Sequence, residues 1–366
     1  MTEPSTTTTA GVDDVLVERV GVIGRIVLNR PKALNALTHG MVLRIEEALL
    51  DWVDDDAVRA VVLTGAGDRG LCAGGDIVAI YRDTLAGGTA TRDFWRDEYR
   101  LNALIGSYPK PFVAVMDGIV MGGGIGVSAH AGMRIVTERT RIAMPEVGIG
   151  LVPDVGGSWL LARAPGELGT HAALSATNLG AGDALEMGFA DWYVESDRVQ
   201  ALVAAICAVP AGEDDVASEI GLLIADVTGE PPGSSLGPSR LWIDECYAVD
   251  TAEEIVARLE TSGHPDAEAA AKEIGRKSPT CVKVALAALR RVRDMTSLEE
   301  ALDQEFRVSL RCFAAPDLAE GIRAQVIDKD RNPQWRPAAL EQVTDEQVQA
   351  YLAPLDDELG LAEGTR

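Results

Sequence analysis

The sequence predicts an α/β fold whose C-terminal part is mainly helical, and three observations support this prediction. The 366 residues are 47% hydrophobic and 25% charged, a globular composition with enough apolar residues for a large core. In the first half of the chain, short apolar runs bounded by glycine alternate with amphipathic helical patterns. Beyond about residue 200 the strand patterns fade and the helical patterns continue alone.

The strand predictions rest on short apolar runs with turn residues at their ends. Residues 15–31 alternate in polarity and then become apolar around two glycines, which indicates a hairpin entering a sheet. Residues 58–67 and 111–118 are typical of buried strands. Two further strands are predicted within residues 133–144.

The helix predictions rest on capping residues and on apolar residues at helical spacing. Thr38 is a candidate N-cap, and the apolar residues that follow it recur with a helical period (Met41, Ile45, Leu49 and Trp52). Residues 281–295 and 297–312 have the same kind of pattern. These segments predict one helix near the N-terminus and two long helices in the C-terminal part.

These patterns divide the chain into three regions. Residues 1–14 are polar and lack the basic and apolar segments of a signal peptide, so they predict a disordered tail. Residues 15–195 predict the α/β core, and residues 196–366 a mainly helical region. Within the latter, residues 229–240 are rich in glycine, proline and serine and predict a linker.

The charge of the chain limits its partners. Lysine and arginine number 33 against 57 acidic residues, a formal net charge of −24. Such a field repels polyphosphates, so it argues against nucleic acid and anionic membrane surfaces as partners. No apolar run is long enough to cross a bilayer. An anionic small ligand would have to be bound by local cations and backbone N–H groups.

The cysteine and histidine content argues against a metal site. The cysteines are five in number, scattered, and never in a CxxC spacing (Cys72, Cys207, Cys246, Cys281 and Cys312). With only four histidines in the chain, we predict no metal site and a reduced, cytoplasmic location.

Two glycine clusters follow predicted strands. They lie at residues 71–77 and 121–132, and each continues into an apolar, helix-like segment. Glycine lets a ligand approach the backbone, and two N–H groups aimed at one point would form an oxyanion hole. The alternative is tight packing of backbone on backbone. Neither cluster has the spacing of a phosphate-binding loop.

Three acidic residues lie in apolar surroundings. Glu146 and Asp154 belong to the run "MPEVGIGLVPDVGG", which holds no lysine or arginine. Glu98 occupies the vacant position of a helical stripe formed by apolar residues and is followed at helical spacing by Asn102. A buried, unpaired charge is unfavourable, so such acids are satisfied, displaced towards water, or functional. A glutamate at the edge of the stripe would reach water, and Asp154 could instead cap a following helix.

The motifs together resemble the crotonase (enoyl-CoA hydratase/isomerase) superfamily. They are "LNRPKALNAL", "CAGGDI", "PKPFVAVMDGIVMGGGIGVS" and "AMPEVGIGLVPDVGG". The resemblance is closest to the 3-hydroxyisobutyryl-CoA hydrolase branch, to which "RDEYRLNALIGSYPKP" and residues 326–348 are also similar. It covers roughly residues 12–350. It implies a spiral of repeated ββα units, an acyl-CoA substrate, and no cofactor apart from the coenzyme A of that substrate.

The resemblance also implies roles for particular positions. The oxyanion hole would be the backbone N–H groups of Gly75 and Gly123. Glu98, Glu146 and Asp154 would contact the substrate together with Gly123. Glu146 would act as nucleophile or general base, and Asp154 would handle a proton or position water. Coenzyme A would pass along the backbone of two loops (Lys32, Ala33 and Leu34; Ala73, Asp76 and Ile77).

Departures from the hydratase pattern favour the hydrolase branch. Hydratases add water with two glutamates, one just after the second glycine cluster and one in the "PE" motif. Glu146 fills the second position, but the first is Gly126. Asp154 stands where hydratases have glycine. One acid is therefore missing and another has been added.

Three functions are compatible with these observations. The first is hydrolysis of a short β-hydroxyacyl-CoA thioester, which the resemblance would place in valine catabolism. The second is hydration or isomerisation with Glu146 alone. The third is non-catalytic acyl-CoA binding on a retained fold. Because the family includes trimers, a homo-oligomer is also left open.

Overall fold

The computed structural model describes residues 14–363, so the predicted tail at residues 1–14 lies almost wholly outside the described part. Within that part the chain forms two sheets. The strands are β1 Val15–Val20, β2 Ile23–Leu28, β3 Ala60–Gly65, β4 Gly70–Cys72, β5 Phe112–Met116, β6 Ile119–Met121, β7 Met133–Val136, β8 Arg141–Ala143 and β9 Trp192–Tyr193.

The two sheets are built from strand pairs that follow one another in the chain. A six-stranded sheet has the order β1-β2-β3-β5-β7-β9, and a three-stranded sheet has the order β4-β6-β8. β1 and β2 form the predicted antiparallel hairpin, and the other pairings are parallel. In β3–β4, β5–β6 and β7–β8, the first strand joins the large sheet and the second joins the small one. This repetition of ββα units confirms the predicted fold class.

Helices surround the sheets and make up the C-terminal part. They are α1 His39–Val53, α2 Ile77–Ala86, α3 Ala90–Gly106, α4 Gly123–Gly126, α5 Gly157–Arg163, α6 Leu168–Ser175, α7 Ala181–Glu186, α8 Ser196–Cys207, α9 Val216–Val227, α10 Arg240–Tyr247, α11 Ala252–Thr261, α12 Pro265–Ile274, α13 Pro279–Val292, α14 Leu298–Ala314, α15 Pro316–Ile322 and α16 Asp345–Leu352. Thr38 caps α1 as predicted, since its hydroxyl oxygen accepts the Met41 N–H at 3.3 Å. No helix within residues 14–363 is both long and apolar enough to cross a membrane.

The C-terminal helices share the core of the first half. α14 packs against α3 and α5, α13 against α5 and α6, and α15 against α2. One continuous apolar cluster extends from Val15 in β1 to Leu359 near the C-terminus. The C-terminal helices therefore form part of the surroundings of the glycine clusters.

Two details differ from the sequence-based expectations. The glycine clusters do not follow the long strands directly, because the short strands β4 and β6 intervene. The predicted linker at 229–240 is tied to the body of the protein. The carboxylate of Asp183 accepts hydrogen bonds from the N–H groups of Ser235 and Leu236, at 2.7 and 3.0 Å.

Candidate active site

The two glycine clusters bring a pair of backbone N–H donors together. β4 and β6 are hydrogen-bonded neighbours, and each is followed within two residues by a glycine with positive φ, Gly74 at 107° and Gly122 at 46°. A Cβ atom on Gly123 would lie 3.4 Å from the Gly75 nitrogen. Neither the Gly75 nor the Gly123 N–H has an acceptor among the described residues. The pair therefore has the arrangement that an oxyanion hole requires.

Glu98 lies directly beside these donors. It is on α3 and only 2% exposed, so it is not a stripe-edge residue that reaches water. A methyl group on Gly123 would overlap its Oε1 atom. Glycine at 123 therefore keeps the N–H accessible and leaves room for this carboxyl group.

Glu146 lies next to the same glycine turn. It begins a one-turn 3-10 helix, Glu146–Gly148, and is 4% exposed. A Cβ atom on Gly122 would lie 3.3 Å from its Oε1. The Glu146 carbonyl accepts the N–H groups of Ile149 and Leu151 at 2.9 and 3.0 Å. These bonds fix the backbone that carries the carboxyl group.

Asp154 is held by a buried tyrosine. The Tyr99 hydroxyl donates to Asp154 Oδ2 at 2.7 Å, and Ser309 Oγ lies 2.9 Å from the same hydroxyl oxygen. Because the single Tyr99 proton goes to the carboxylate, Ser309 is the donor of the second bond. The N-cap of α5 is Gly156, so the alternative in which Asp154 caps this helix is wrong.

The loop after Asp154 is strained and clamped. Val155, a β-branched residue, has φ +56°, which is rare for such residues and is often found beside functional groups. The His130 Nε2–H donates to the Val155 carbonyl at 2.8 Å. Glu305 on α14 accepts the N–H groups of Gly156 and Ser158 at 2.6 and 2.9 Å. Together these contacts fix the backbone next to Asp154.

Several buried polar atoms around the donors have no hydrogen-bond partner among residues 14–363. They are Glu98 Oε1, Glu146 Oε2, and both Oδ1 and Nδ2 of Asn102. An unpaired buried polar group costs about 1–3 kcal/mol, so native proteins rarely gather several of them. Their concentration at one place indicates a site whose polar partners arrive with a ligand.

The buried acids of the site differ in their pKa values. No lysine or arginine among the described residues forms an ion pair with Glu98, Glu146, Asp154 or Glu305. Burial raises the pKa of Asp154 to about 6, and the Tyr99 hydrogen bond opposes this rise. Burial and the Asp154 charge raise the pKa values of Glu98 and Glu146 well above the ordinary range. Burial raises the pKa of Glu305 to about 8. Because the Asp154 charge raises the pKa of Glu146, Asp154 is the acid of this pair that ionises first.

Gly126 has no room for a catalytic side chain. A Cβ atom there would lie 2.7 Å from Asn102 Nδ2 and 2.8 Å from Val155 Cβ. The space that hydratases give to their first glutamate is therefore occupied by Asn102 and the strained valine. A larger residue at 126 would have to displace both.

The positions predicted to contact coenzyme A lie together. The Ala73 N–H donates to the Leu34 carbonyl at 3.0 Å, and the Asp76 N–H donates to the Leu37 carbonyl at 2.9 Å. The predicted residues thus occupy two hydrogen-bonded loops, 32–34 and 73–77, that lead to Gly75. Lys32 and Ala33 are exposed, whereas Leu34, Ala73, Asp76 and Ile77 are half-buried. The two loops form a continuous backbone surface beside the donors.

A cavity of about 140 Å³ adjoins this surface. Leu37, Asp76 and Phe94 are among the residues that line it. A Cβ atom on Gly75 would lie 3.2 Å from the Phe94 ring, so one wall of the cavity lies next to Gly75. Among residues 14–363, no three His, Cys, Asp or Glu side chains are grouped to bind a metal ion.

Sequence reasoning missed the residues that hold Asp154. Tyr99 was not predicted as a functional residue, although it is adjacent in sequence to Glu98. Glu305 and Ser309 lie on the buried face of α14 with Leu302 and Cys312. This spacing of an acid within an apolar stripe is the signal that identified Glu98, and it identifies Glu305 as well.

The spiral of ββα units and the paired donors facing buried acids define a crotonase-type protein. The chain belongs to the enoyl-CoA hydratase/isomerase family, whose model matches residues 23–352. It is 40% identical over 344 residues to the mitochondrial 3-hydroxyisobutyryl-CoA hydrolase of Rattus norvegicus, covering 93% of this chain and 89% of that one. The Homo sapiens hydrolase is 37% identical over 349 residues, covering 95% and 90%.

Two solved structures are similar along nearly the whole chain. A carnitinyl-CoA dehydratase from Mycobacterium thermoresistibile has a TM-score of 0.89 and 52% identity, covering 95% of this chain and 98% of its own. An enoyl-CoA hydratase from Rhodobacter sphaeroides has a TM-score of 0.86 and 43% identity, covering 93% and 98%. The fold is therefore that of the crotonase superfamily, and the names of its relatives include both hydrolases and hydration enzymes.

Proposed function

We propose that the protein hydrolyses the thioester of a short β-hydroxyacyl-CoA, with 3-hydroxyisobutyryl-CoA as its substrate and a place in valine catabolism. The observation that carries this proposal is the burial of Glu146 beside the Gly122 turn, within the electrostatic influence of Asp154, which Tyr99 holds in place. Coenzyme A belongs to the substrate, and the reaction needs no further cofactor. The similarity to 3-hydroxyisobutyryl-CoA hydrolases along most of the chain supports the choice of substrate.

The names of the two solved structures favour hydration or dehydration as a second candidate function. Two-glutamate hydration needs an acid at position 126, where glycine faces Asn102 and Val155 at short distance. The site instead offers an acid–acid pair at 146 and 154. We therefore prefer hydrolysis.

The reaction begins with the proton that the pair shares. Asp154, ionised before the thioester binds, takes the proton of Glu146 directly or through a water molecule when the thioester is bound. Glu146 then attacks the carbonyl carbon, or takes a proton from a water molecule that attacks it. The oxyanion that forms accepts hydrogen bonds from the Gly75 and Gly123 N–H groups.

The second half of the reaction releases coenzyme A. The C–S bond breaks, and Asp154 gives its proton to the departing thiolate. If Glu146 has attacked, water then hydrolyses the acyl-glutamate anhydride and gives its proton to Asp154. Glu98 contacts the substrate beside the Gly123 donor, and the loops at 32–34 and 73–77 hold coenzyme A mostly through backbone groups.

The proposal extends to location and assembly. The two hydrolases named above are mitochondrial, so the cytoplasmic location stays a prediction for this chain. The homo-oligomer also stays a prediction. Fractionation of the source cells measures the location, and light scattering of the purified protein measures the oligomeric state.

Free thiol release from a panel of acyl-CoAs tests the proposed activity. We expect rapid release from 3-hydroxyisobutyryl-CoA and no loss of enoyl absorbance from crotonyl-CoA. Robust hydration of crotonyl-CoA without thiol release would overturn the proposal in favour of a hydratase. Saturable binding with neither reaction would identify a binding protein.

Removing the Tyr99 hydroxyl is expected to shift the acidic limb of the pH profile. Because the Tyr99 hydrogen bond lowers the pKa of Asp154, Tyr99→Phe raises that pKa above the value of about 6. Activity requires ionised Asp154 and is lost as pH falls through its pKa, so the limb of kcat/KM moves to higher pH. The Asp154 charge raises the pKa values of Tyr99 itself and of the surrounding groups Glu98, Glu146, Glu305 and Cys312.

Tyr108→Phe is the matched control for this experiment. The Tyr108 hydroxyl donates to the Leu49 carbonyl at 2.9 Å and makes no contact with Asp154. We expect its acidic limb to coincide with that of the wild type. An unshifted limb in a well-folded Tyr99→Phe protein would show that Tyr99 does not control the protonation of Asp154.

A further inference from the structure

Asn102 has a feature that the proposed reaction leaves unexplained. It lies on α3 one turn after Glu98 and is 0% exposed. Neither its Oδ1 nor its Nδ2 atom has a hydrogen-bond partner among residues 14–363. A buried amide with both groups unpaired destabilises the folded protein, and an apolar side chain of similar size would avoid this loss. The amide therefore requires a functional explanation.

The position of Asn102 relates it to the bound acyl group. α3 faces α4 through two matched pairs, Glu98 opposite Gly123 and Asn102 opposite Gly126. The Gly123 N–H is one of the two proposed oxyanion donors. Asn102 thus lies one helical turn, about 5.4 Å, further along the site than the group next to the thioester.

The chemistry of the amide matches a hydroxyl group. A hydroxyl donates one hydrogen bond and accepts others, and a primary amide offers one acceptor oxygen and a donor nitrogen. The β-hydroxyl of a 3-hydroxyacyl-CoA lies three bonds from the thioester carbon, whereas an unsubstituted acyl group has only apolar atoms there. Glu98 lies beside the donor pair and so faces the carbonyl end.

We propose that Asn102 binds the β-hydroxyl of the substrate and sets the preference for β-hydroxyacyl over unsubstituted acyl groups. This inference rests on the proposed hydrolase function and assigns the group that recognises the hydroxyl. In a complex with an unsubstituted acyl-CoA, the buried Asn102 amide would still lack a hydrogen-bond partner. The site would therefore reject that substrate.

The test compares two substrates that differ by one hydroxyl, 3-hydroxyisobutyryl-CoA and isobutyryl-CoA. For Asn102→Leu we expect the ratio of their kcat/KM values to fall by on the order of 10- to 100-fold relative to wild type. General damage to the fold lowers both rates and leaves the ratio unchanged. Asn102→Ala serves as the second variant if leucine disturbs the packing, and thermal melting checks both.

Gln304→Leu is the matched control. Gln304 is also a fully buried amide with an unpaired oxygen, but its Nε2 donates to the Ala288 carbonyl between α13 and α14. We expect this variant to keep the wild-type ratio. A wild-type ratio in well-folded Asn102→Leu and Asn102→Ala proteins would overturn the assignment of Asn102.

A binding measurement separates this inference from the proposed function. Calorimetric affinities for the same two acyl-CoAs are measured in Glu146→Gln and in Glu146→Gln with Asn102→Leu. Loss of the hydroxyl preference in the double variant supports Asn102 even if the wild-type protein releases no thiol. Absence of thiol release would overturn the hydrolase proposal alone, and equal preferences in both proteins would overturn the role of Asn102 alone.

Discussion

Glu146→Gln is expected to lower kcat for 3-hydroxyisobutyryl-CoA by about 10²–10⁴-fold while acyl-CoA binding is largely retained. Glutamine keeps the shape of the side chain, but it can neither give up a proton nor attack the carbonyl. Burial and the Asp154 charge raise the pKa of Glu146 on folding. The stability that this proton binding contributes is full below the ordinary carboxyl pKa and is lost as pH rises through the raised value. Glutamine does not ionise, so the variant does not lose this stability at neutral pH. We therefore expect no decrease in Tm.

The control for this variant is Glu195→Gln. Glu195 is exposed, and within the described part of the chain its carboxylate forms an ion pair only with Arg198, at 3.2 Å, so its replacement should leave kcat unchanged. Steady-state thiol release gives kcat, and calorimetry gives acyl-CoA binding. Wild-type turnover in a Glu146→Gln protein that binds substrate normally would show that Glu146 is not the nucleophile or base.

Asp154→Asn is expected to lower kcat by a similar factor, about 10²–10⁴-fold, with little change in Tm. Asparagine can still accept the Tyr99 hydroxyl through its Oδ1 atom, so the local structure is kept. It can no longer take the Glu146 proton or deliver it to the thiolate. Loss of the negative charge also lowers the pKa of Glu146, because that charge raises it.

Asp183→Asn is the matched structural control for the second variant. Asp183 is equally buried at 4% exposure, but it holds the backbone of the 229–240 segment rather than facing the glycine turns. We expect this variant to lower Tm with little change in kcat. A lowered Tm with an unchanged kcat in Asp154→Asn would instead assign Asp154 a structural role.

The parts of the fold that depend on local pattern were predictable. The hairpin β1–β2, the Thr38 cap and the long helices α13 and α14 follow from periodicity and capping chemistry within a few residues. Of the three-stranded sheet, β8 was predicted within residues 133–144, but β4 and β6 were not. Its strands have only three residues each, which is too short for a period of two to be recognised.

The site was predictable in its residue types but not in its contacts. Glu98 could be found because an acid in an apolar helical stripe violates the expected pattern. The contact between Tyr99 and Asp154 joins residues 55 positions apart, and that between Gly156 and Glu305 joins residues 149 apart. Long-range contacts of this kind arise from tertiary packing. The predicted division into an α/β core and a mainly helical region therefore gave no indication that α14 holds the loop after Asp154.

The most direct test of the account is a crystal structure of the Glu146→Gln protein with 3-hydroxyisobutyryl-CoA bound. We expect the thioester oxygen about 3 Å from the nitrogen atoms of both Gly75 and Gly123, and the side chain of residue 146 beside the carbonyl carbon. Coenzyme A should follow the loops at 32–34 and 73–77. A thioester oxygen that contacts neither N–H group, or an acyl group bound away from residues 146 and 154, would contradict the proposed site.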